Sequence, residues 1–161
     1  MQILYQKQIS QKIKRLAIEI LEHNYDESEI IVAGINNNGL NFAQLIVNEL
    51  LVLSKKTITL TQIRLNPANP IASEVQIELP LERINGKIII VVDDVANTGR
   101  TIFYAIKPLL TILPKKIETA VLVDRKHKSF PIAITYCGLS LATTLQENID
   151  VKLSESSVYL V

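Results

Sequence analysis

The chain predicts an α/β fold, a mostly parallel central sheet with helices on both faces. Three observations lead there. The run Ile88-Ile89-Ile90-Val91-Val92 sets five β-branched residues in succession, the pattern of a strand buried on both faces. Strand-like apolar runs alternate with segments of helical period at least twice along the chain, as in parallel strands joined by crossover helices. The strands are also too apolar to leave one face in water.

Ile9, Ile13, Leu16, Ala17, Ile20 and Leu21 recur at helical spacing, with Lys12, Lys14, Arg15 and Glu19 on the other face. That spacing predicts an amphipathic opening helix that stops around residues 22–25. Ile30-Ile31-Val32-Ala33, bounded by Gly34, predicts a short buried strand. From Gly39 onward, Leu40, Ala43, Leu45, Ile46, Val47, Leu50 and Leu51 predict a largely buried helix, and residues 57–64 a β-rich strand. Residues 65–82 lose both periods, because Asn66-Pro67-Ala68-Asn69-Pro70 packs two prolines and two asparagines into five positions. They predict a long mobile loop with room for a short strand over 75–79, and loops of that length in compact domains commonly serve as lids. After the Ile88 to Val92 run, residues 101–113 predict a helix ending before Pro114, with Pro108 as a kink or early stop. Residues 117–124 and 131–136 predict two further strands. Residues 138–161 alternate short apolar groups with Thr, Ser and Glu, as strand or irregular cover does.

With 161 residues and 48% hydrophobic composition, the chain suits one compact domain and is not of the disordered class. Seventeen Lys+Arg against sixteen Asp+Glu leave a net charge of +1, so no whole-chain excess draws it to nucleic acid or an acidic membrane. The single Cys137 closes no intramolecular disulfide and offers no multi-cysteine zinc pattern. The apolar stretches fall well short of the roughly 20 residues that cross a bilayer. Charge near the N-terminus breaks the pattern of a signal peptide, and the expected location is cytoplasmic.

In parallel sheets ligands bind outside the carboxyl ends of the strands where the strand order reverses, which directs attention to the loops after Ala33 and Val92. Asp93 and Asp94 arrive together at such an end, and two acids so close are costly without a cation or hydroxyl donors beside them. Strand alternation points them to opposite sides unless the backbone turns there. Ala96-Asn97-Thr98-Gly99-Arg100-Thr101 then offers small and hydroxyl-bearing residues at a loop-to-helix junction, where unpaired backbone N–H groups favour an anion such as phosphate. A phosphate cradle beside a diol-binding acid pair describes a site for a sugar phosphate. An ATPase is excluded: Gly34 and Gly39 have the spacing of a phosphate loop, but Leu40-Asn41 stand where Lys and Ser/Thr are required.

The segment Val91-Val92-Asp93-Asp94-Val95-Ala96-Asn97-Thr98-Gly99-Arg100-Thr101 resembles the phosphoribosyl-pyrophosphate (PRPP) signature of the type I phosphoribosyltransferases. Within that family the resemblance is to the PyrR group, pyrimidine-operon attenuators that are also uracil phosphoribosyltransferases. Residues 33–46 are similar to their pyrophosphate loop and following helix, residues 120–144 to their V-L-V-D-R-x-H segment, and residues 15–24 to their first helix.

The resemblance implies one phosphoribosyltransferase domain over 1–161, with a lid over about 65–82 and a small hood from about 125–161. Asp93 and Asp94 would be the catalytic residues, binding the ribose hydroxyls, holding Mg2+ indirectly through those hydroxyls or water, and favouring the positive charge that develops in the transition state. Asn97, Thr98, Gly99, Arg100 and Thr101 would cradle the 5′-phosphate. Ile35, Asn36, Asn37, Asn38 and Gly39, with Arg64 or Arg83, would meet pyrophosphate, although the group usually carries a basic residue where the three asparagines stand. Val123, Asp124, Arg125 and His127 would border the base, while Lys126 and Lys128 read equally as base neighbours or as a solvated charged turn. The implied partners are PRPP, a nucleobase with uracil first, and further copies of the chain in a homodimer or larger assembly. RNA is not favoured: Lys7, Lys12, Lys14 and Arg15 give the first helix a basic face, but the net charge is +1 and aromatics are 5% of the chain. The competing reading is a PRPP- or nucleotide-binding regulator with little or no turnover.

Overall fold

A computed structural model describes residues 1–142 and 147–161. The chain opens with β1 (Gln2–Leu4), followed by α1 (Gln6–His23), whose buried stripe is Ile9, Ile13, Leu16, Ala17 and Ile20. The Gln8 side chain caps α1 by accepting the Tyr5 N–H at 2.9 Å. At the other end the Asn24 side chain donates to the Ile20 carbonyl at 2.9 Å.

β2 (Glu29–Ile35) passes into α2 (Asn36–Leu53) without a loop, so the helix starts three residues before the Gly39 the sequence suggests. The turn falls on Asn36 at φ +50°, a left-handed conformation that asparagine tolerates better than most residues. Its amide is fixed there by Leu65: Nδ2 donates to the Leu65 carbonyl at 3.0 Å and Oδ1 accepts the Leu65 N–H at 3.1 Å.

β3 (Thr57–Arg64) leads into the proline-rich stretch, which returns as β4 (Gln76–Ile77) antiparallel to β3, then α3 (Leu81–Ile84). Residues 65–75 form the expected long loop, anchored by buried Leu65 and Val75, β4 is the short strand expected over 75–79, and α3 adds a helical turn at its end. β5 (Ile88–Ala96) and α4 (Arg100–Ala105) follow. The helix expected over 101–113 stops at Ala105 and continues as a 3-10 turn over Lys107–Thr111, because Pro108 has no N–H to extend the ladder. β6 (Lys116–Arg125), β7 (Tyr136–Leu141), β8 (Ile149–Lys152) and β9 (Ser157–Leu160) complete the chain. The strand expected over 131–136 begins only at Tyr136. Pro131 cannot donate, and Thr119 takes over the pairing there, its Oγ1 donating to the Ala133 carbonyl at 2.6 Å.

The main sheet has the order β4-β3-β2-β5-β6-β7, parallel except for β4. Its alternation sorts the core: Ile30, Val32, Ile88, Ile90 and Val92 face α1 and α2, whereas Ile31, Ala33, Ile89 and Val91 face α3, α4 and the 3-10 turn. This is the expected mixed α/β arrangement with a mostly parallel sheet. After β2 the chain builds outward to β3, and after β5 it builds the other way to β6, so the order reverses between the carboxyl ends of β2 and β5.

A second sheet, β1-β9-β8, is antiparallel. The hood expected from 125–161 therefore draws one strand from the N-terminus, a pairing invisible to local pattern, and residues 143–146 of that span lie outside the described residues. Among the described residues no helix is long and apolar enough to cross a membrane.

Candidate active site

At the carboxyl end of β5 the alternation breaks. Val92 and Val95, three residues apart, both pack on the α1–α2 side, so the backbone does turn across Asp93 and Asp94. Asp93 Oδ1 accepts the Asp94 N–H at 2.9 Å, and Asp94 Oδ1 accepts the Val95 N–H at 2.9 Å. Asp93 is buried beneath the start of α2: a Cβ on Gly39 would lie 2.7 Å from the Val92 carbonyl and 3.3 Å from Asp93 Oδ1. Only glycine lets the helix approach this closely. Burial first, and then the charge of Asp94, push the Asp93 carboxyl well above the usual carboxylate range. Asp94 is raised as well, chiefly by burial and further by Asp150 on β8. The pair is therefore short of positive charge and donors, the condition that a diol or a water-held divalent ion relieves; among the described residues no group of three metal-ligating side chains exists to bind one directly.

Beyond the acids, Asn97, Thr98, Gly99, Arg100 and Thr101 line a cavity of about 360 Å³ with Val95, Ala96 and Ile102. Gly99 sits at φ +86°, and a Cβ there would meet Ile132 Cγ2 at 2.8 Å. Among the described residues, the amides of Asn97, Thr98 and Gly99 donate to no backbone acceptor, while the Arg100 N–H is 3.4 Å from Thr98 Oγ1. The Arg100 side chain reaches across to the proline-rich hairpin and donates to the Pro67 carbonyl at 2.7 Å.

The third part is the β2–α2 junction. Asn36 and Asn37 line a groove of about 530 Å³ with Gln62, Arg64, Leu65 and Asn66, walled by Ser73, Glu74 and Gln76. Ile35 is buried in the core, Gly39 is buried against β5, and Asn38 is exposed. The Asn36 amide is engaged with Leu65, and Arg64 pairs with Glu78 at 3.3 Å. Arg83 lies elsewhere: it pairs at 3.4 Å with Glu29, which opens β2 at the amino end of the strands, opposite the acid pair.

Near the end of β6, Val123 is fully buried in the sheet, while His127 is exposed. Asp124, beside Ala96 of β5 in register, accepts from Lys128 Nζ at 2.6 Å, with both side chains less than one-fifth exposed. Lys128 also donates to the Arg125 carbonyl. The sequence did not single out Lys128, because a lysine in a run of charges usually lies in solvent; its i, i+4 spacing from Asp124 was the available signal. On the basic face of α1, Arg15 is held by the Cys137 and Gly138 carbonyls at 2.7 and 2.8 Å and by Glu19.

The phosphoribosyl transferase domain family matches residues 1–155. The bifunctional protein PyrR of Streptococcus thermophilus is 36% identical over 145 residues, covering 89% of this chain and 84% of that protein. The bifunctional protein PyrR of Brevibacillus brevis is 34% identical over 164 residues, covering 97% and 91%. Among solved structures, the hypoxanthine phosphoribosyltransferase of Trypanosoma cruzi superposes with a TM-score of 0.78 at 15% identity, covering 99% of this chain and 94% of that one. A hypoxanthine-guanine phosphoribosyltransferase from Bacillus anthracis gives 0.76 at 22%, covering 92% and 84%. At those identities the structural likeness is one of fold, while the family match and the PyrR relatives span nearly the whole sequence. The chain belongs to the type I phosphoribosyltransferase family.

Proposed function

We propose that the protein transfers ribose 5-phosphate from PRPP to a nucleobase, uracil first, with release of pyrophosphate. One juxtaposition supports this reading most: three unpartnered amides, Asn97 to Gly99, lie immediately after two adjacent carboxylates, buried Asp93 and half-buried Asp94, that lack counter-charge. The amides suit the 5′-phosphate, and Asp93 and Asp94 suit the ribose hydroxyls. Attack by a base nitrogen at C1 gives an oxocarbenium-like transition state, and the carboxyls beneath the ribose, ionised once bound ligand offsets the burial that raises them, favour that developing positive charge. Magnesium, when bound, supplies positive charge against the departing pyrophosphate. Asp93 and Asp94 would hold it through ribose hydroxyls and water. The hairpin over 65–75, tied to Arg100 and to Asn36, covers the site from the β3 side and excludes water. Val123, Asp124, Arg125 and His127 border the base in this reading. Self-association into a homodimer or larger assembly belongs to it too, and sedimentation at assay concentration tests that part.

The test is pyrophosphate release from PRPP and magnesium, with uracil and then with other bases, beside calorimetric binding of PRPP. Uracil-dependent release supports the transferase, and release with a purine alone replaces the base. PRPP binding without release for any base supports the second reading, a PRPP-binding regulator. One observation favours that alternative: in the pyrophosphate groove Arg64 is the sole cation among the lining residues and is paired with Glu78.

A further inference from the structure

The phosphate loop is braced from outside. Two backbone amides from outside it, those of Ser129 and Phe130, both donate to the Thr98 carbonyl, at 2.9 and 3.2 Å. Across a trans peptide the carbonyl and the following N–H point in opposite directions. Fixing the Thr98 carbonyl toward residues 129 and 130 therefore turns the Gly99 N–H the other way, and no backbone acceptor among the described residues takes it. Gly99 borders the cavity described above.

The outside segment is itself fastened at three points. Lys128 bonds Asp124 and the Arg125 carbonyl, so its ammonium ties the turn to the end of β6. Phe130 packs against Phe103 and Tyr104 of α4, with ring centroids 5.6 and 6.1 Å apart. Ile132 and the Lys128 stem close over Gly99 where a Cβ would stand.

We propose that residues 128–130 are the positioning element of the phosphate loop: they aim the Gly99 amide at the bound 5′-phosphate, with the Lys128–Asp124 pair as the fastening. The proposal rests on the assignment of residues 97–101 to the phosphate. Lys128 touches no substrate in this scheme. It acts through the Thr98–Gly99 peptide, and its loss loosens one anion site while leaving the other, at the β2–α2 junction, as it was.

The experiment measures calorimetric affinity for ribose 5-phosphate and, separately, for pyrophosphate with magnesium, in the unaltered protein and in Lys128→Ala, Lys128→Arg and Lys126→Ala. Lys128→Ala weakens ribose 5-phosphate by tenfold or more and leaves pyrophosphate within twofold. Lys128→Arg restores most of the loss, because it keeps a cation for Asp124. Lys126→Ala removes the same charge from an exposed position and changes neither affinity beyond twofold. Ser129→Pro, which deletes one of the two N–H donors, reproduces the selective loss and serves should Lys128→Ala not fold. Unchanged ribose 5-phosphate affinity in Lys128→Ala or Ser129→Pro overturns the proposal, and so does an equal loss at both sites. If the unaltered protein itself binds no ribose 5-phosphate, the phosphate assignment falls first.

Discussion

Gly99→Ala tests the phosphate loop most directly. At φ +86° a residue with a Cβ carries about 1–2 kcal/mol of steric strain. The added methyl also meets Ile132 Cγ2 at 2.8 Å and Lys128 Cδ at 3.3 Å, a small overpacking at half-buried side chains that costs roughly 1–2 kcal/mol after they shift. The expected total is about 2–4 kcal/mol. It emerges in one of two forms. If the loop keeps its shape, urea unfolding shows the whole loss as reduced stability. If the loop relaxes instead, stability is preserved and ribose 5-phosphate affinity falls by about 30- to 700-fold, the same energy expressed as binding. Adding Ile132→Ala separates the components, since it removes the contact and leaves the backbone strain of about 1–2 kcal/mol. Gly99→Ala with stability within about 0.5 kcal/mol and unchanged affinity would refute both the loop geometry and its assigned role.

Asp93→Asn should flatten the pH dependence of stability. A carboxyl raised in the folded state keeps its proton there after the unfolded chain has lost it, so stability falls as pH rises from about 4 through the raised folded value. Thermal melts across pH 4 to 8 should show a shallower decline and a higher neutral midpoint for the variant, with weaker PRPP binding; parallel profiles would remove the burial argument. Tyr136→Phe deletes the hydroxyl that donates to Glu118 Oε2 at 2.9 Å, and should cost about 1.5–3 kcal/mol in urea unfolding while leaving ligand affinity alone, because Glu118 lies in the first half of β6, away from the site. Arg100→Ala frees the proline-rich hairpin from its bond at Pro67, so limited proteolysis should cut within residues 66–69 several times faster with little change in melting temperature. Equal cleavage rates would show that this bond does not restrain the hairpin.

Much of the fold was legible where one local signal was strong. The Ile88 to Val92 run gave the central strand, and the apolar stripe of α1 is the buried face that its spacing implied. The rule for parallel sheets directed attention to the loops after Ala33 and Val92, and the strand order does reverse between β2 and β5. What failed had nonlocal causes. Asn36 starts α2 early because Leu65, far along the chain, holds its amide; the glycine that looked like the helix start is needed for contact with β5 instead. Ile132 and Ile134 mimic a strand through their alternation, yet they pack beneath the sheet edge without pairing. β1 exists only because β9 returns to meet it. Lys128 was hidden by its charged neighbours, since composition cannot separate a solvated lysine from one folded back onto Asp124.

The strand order also bears on how the chain acquires its shape. The two central strands, β2 and β5, pair Ile31 with Ile89 although β3, the hairpin and α3 intervene in sequence. The loop closed by that pairing is long, and parallel contacts of this range form slowly, on the millisecond-to-second scale typical of such topologies. Until β5 inserts, neither the acid pair nor the start of α2 has its neighbour. A stalled intermediate would expose the strand edge of β2 while lacking any place for ligand. Ligand binding during refolding would therefore report an event that follows β5 insertion, and a ligand present in excess would slow the escape from the finished state without hastening arrival there.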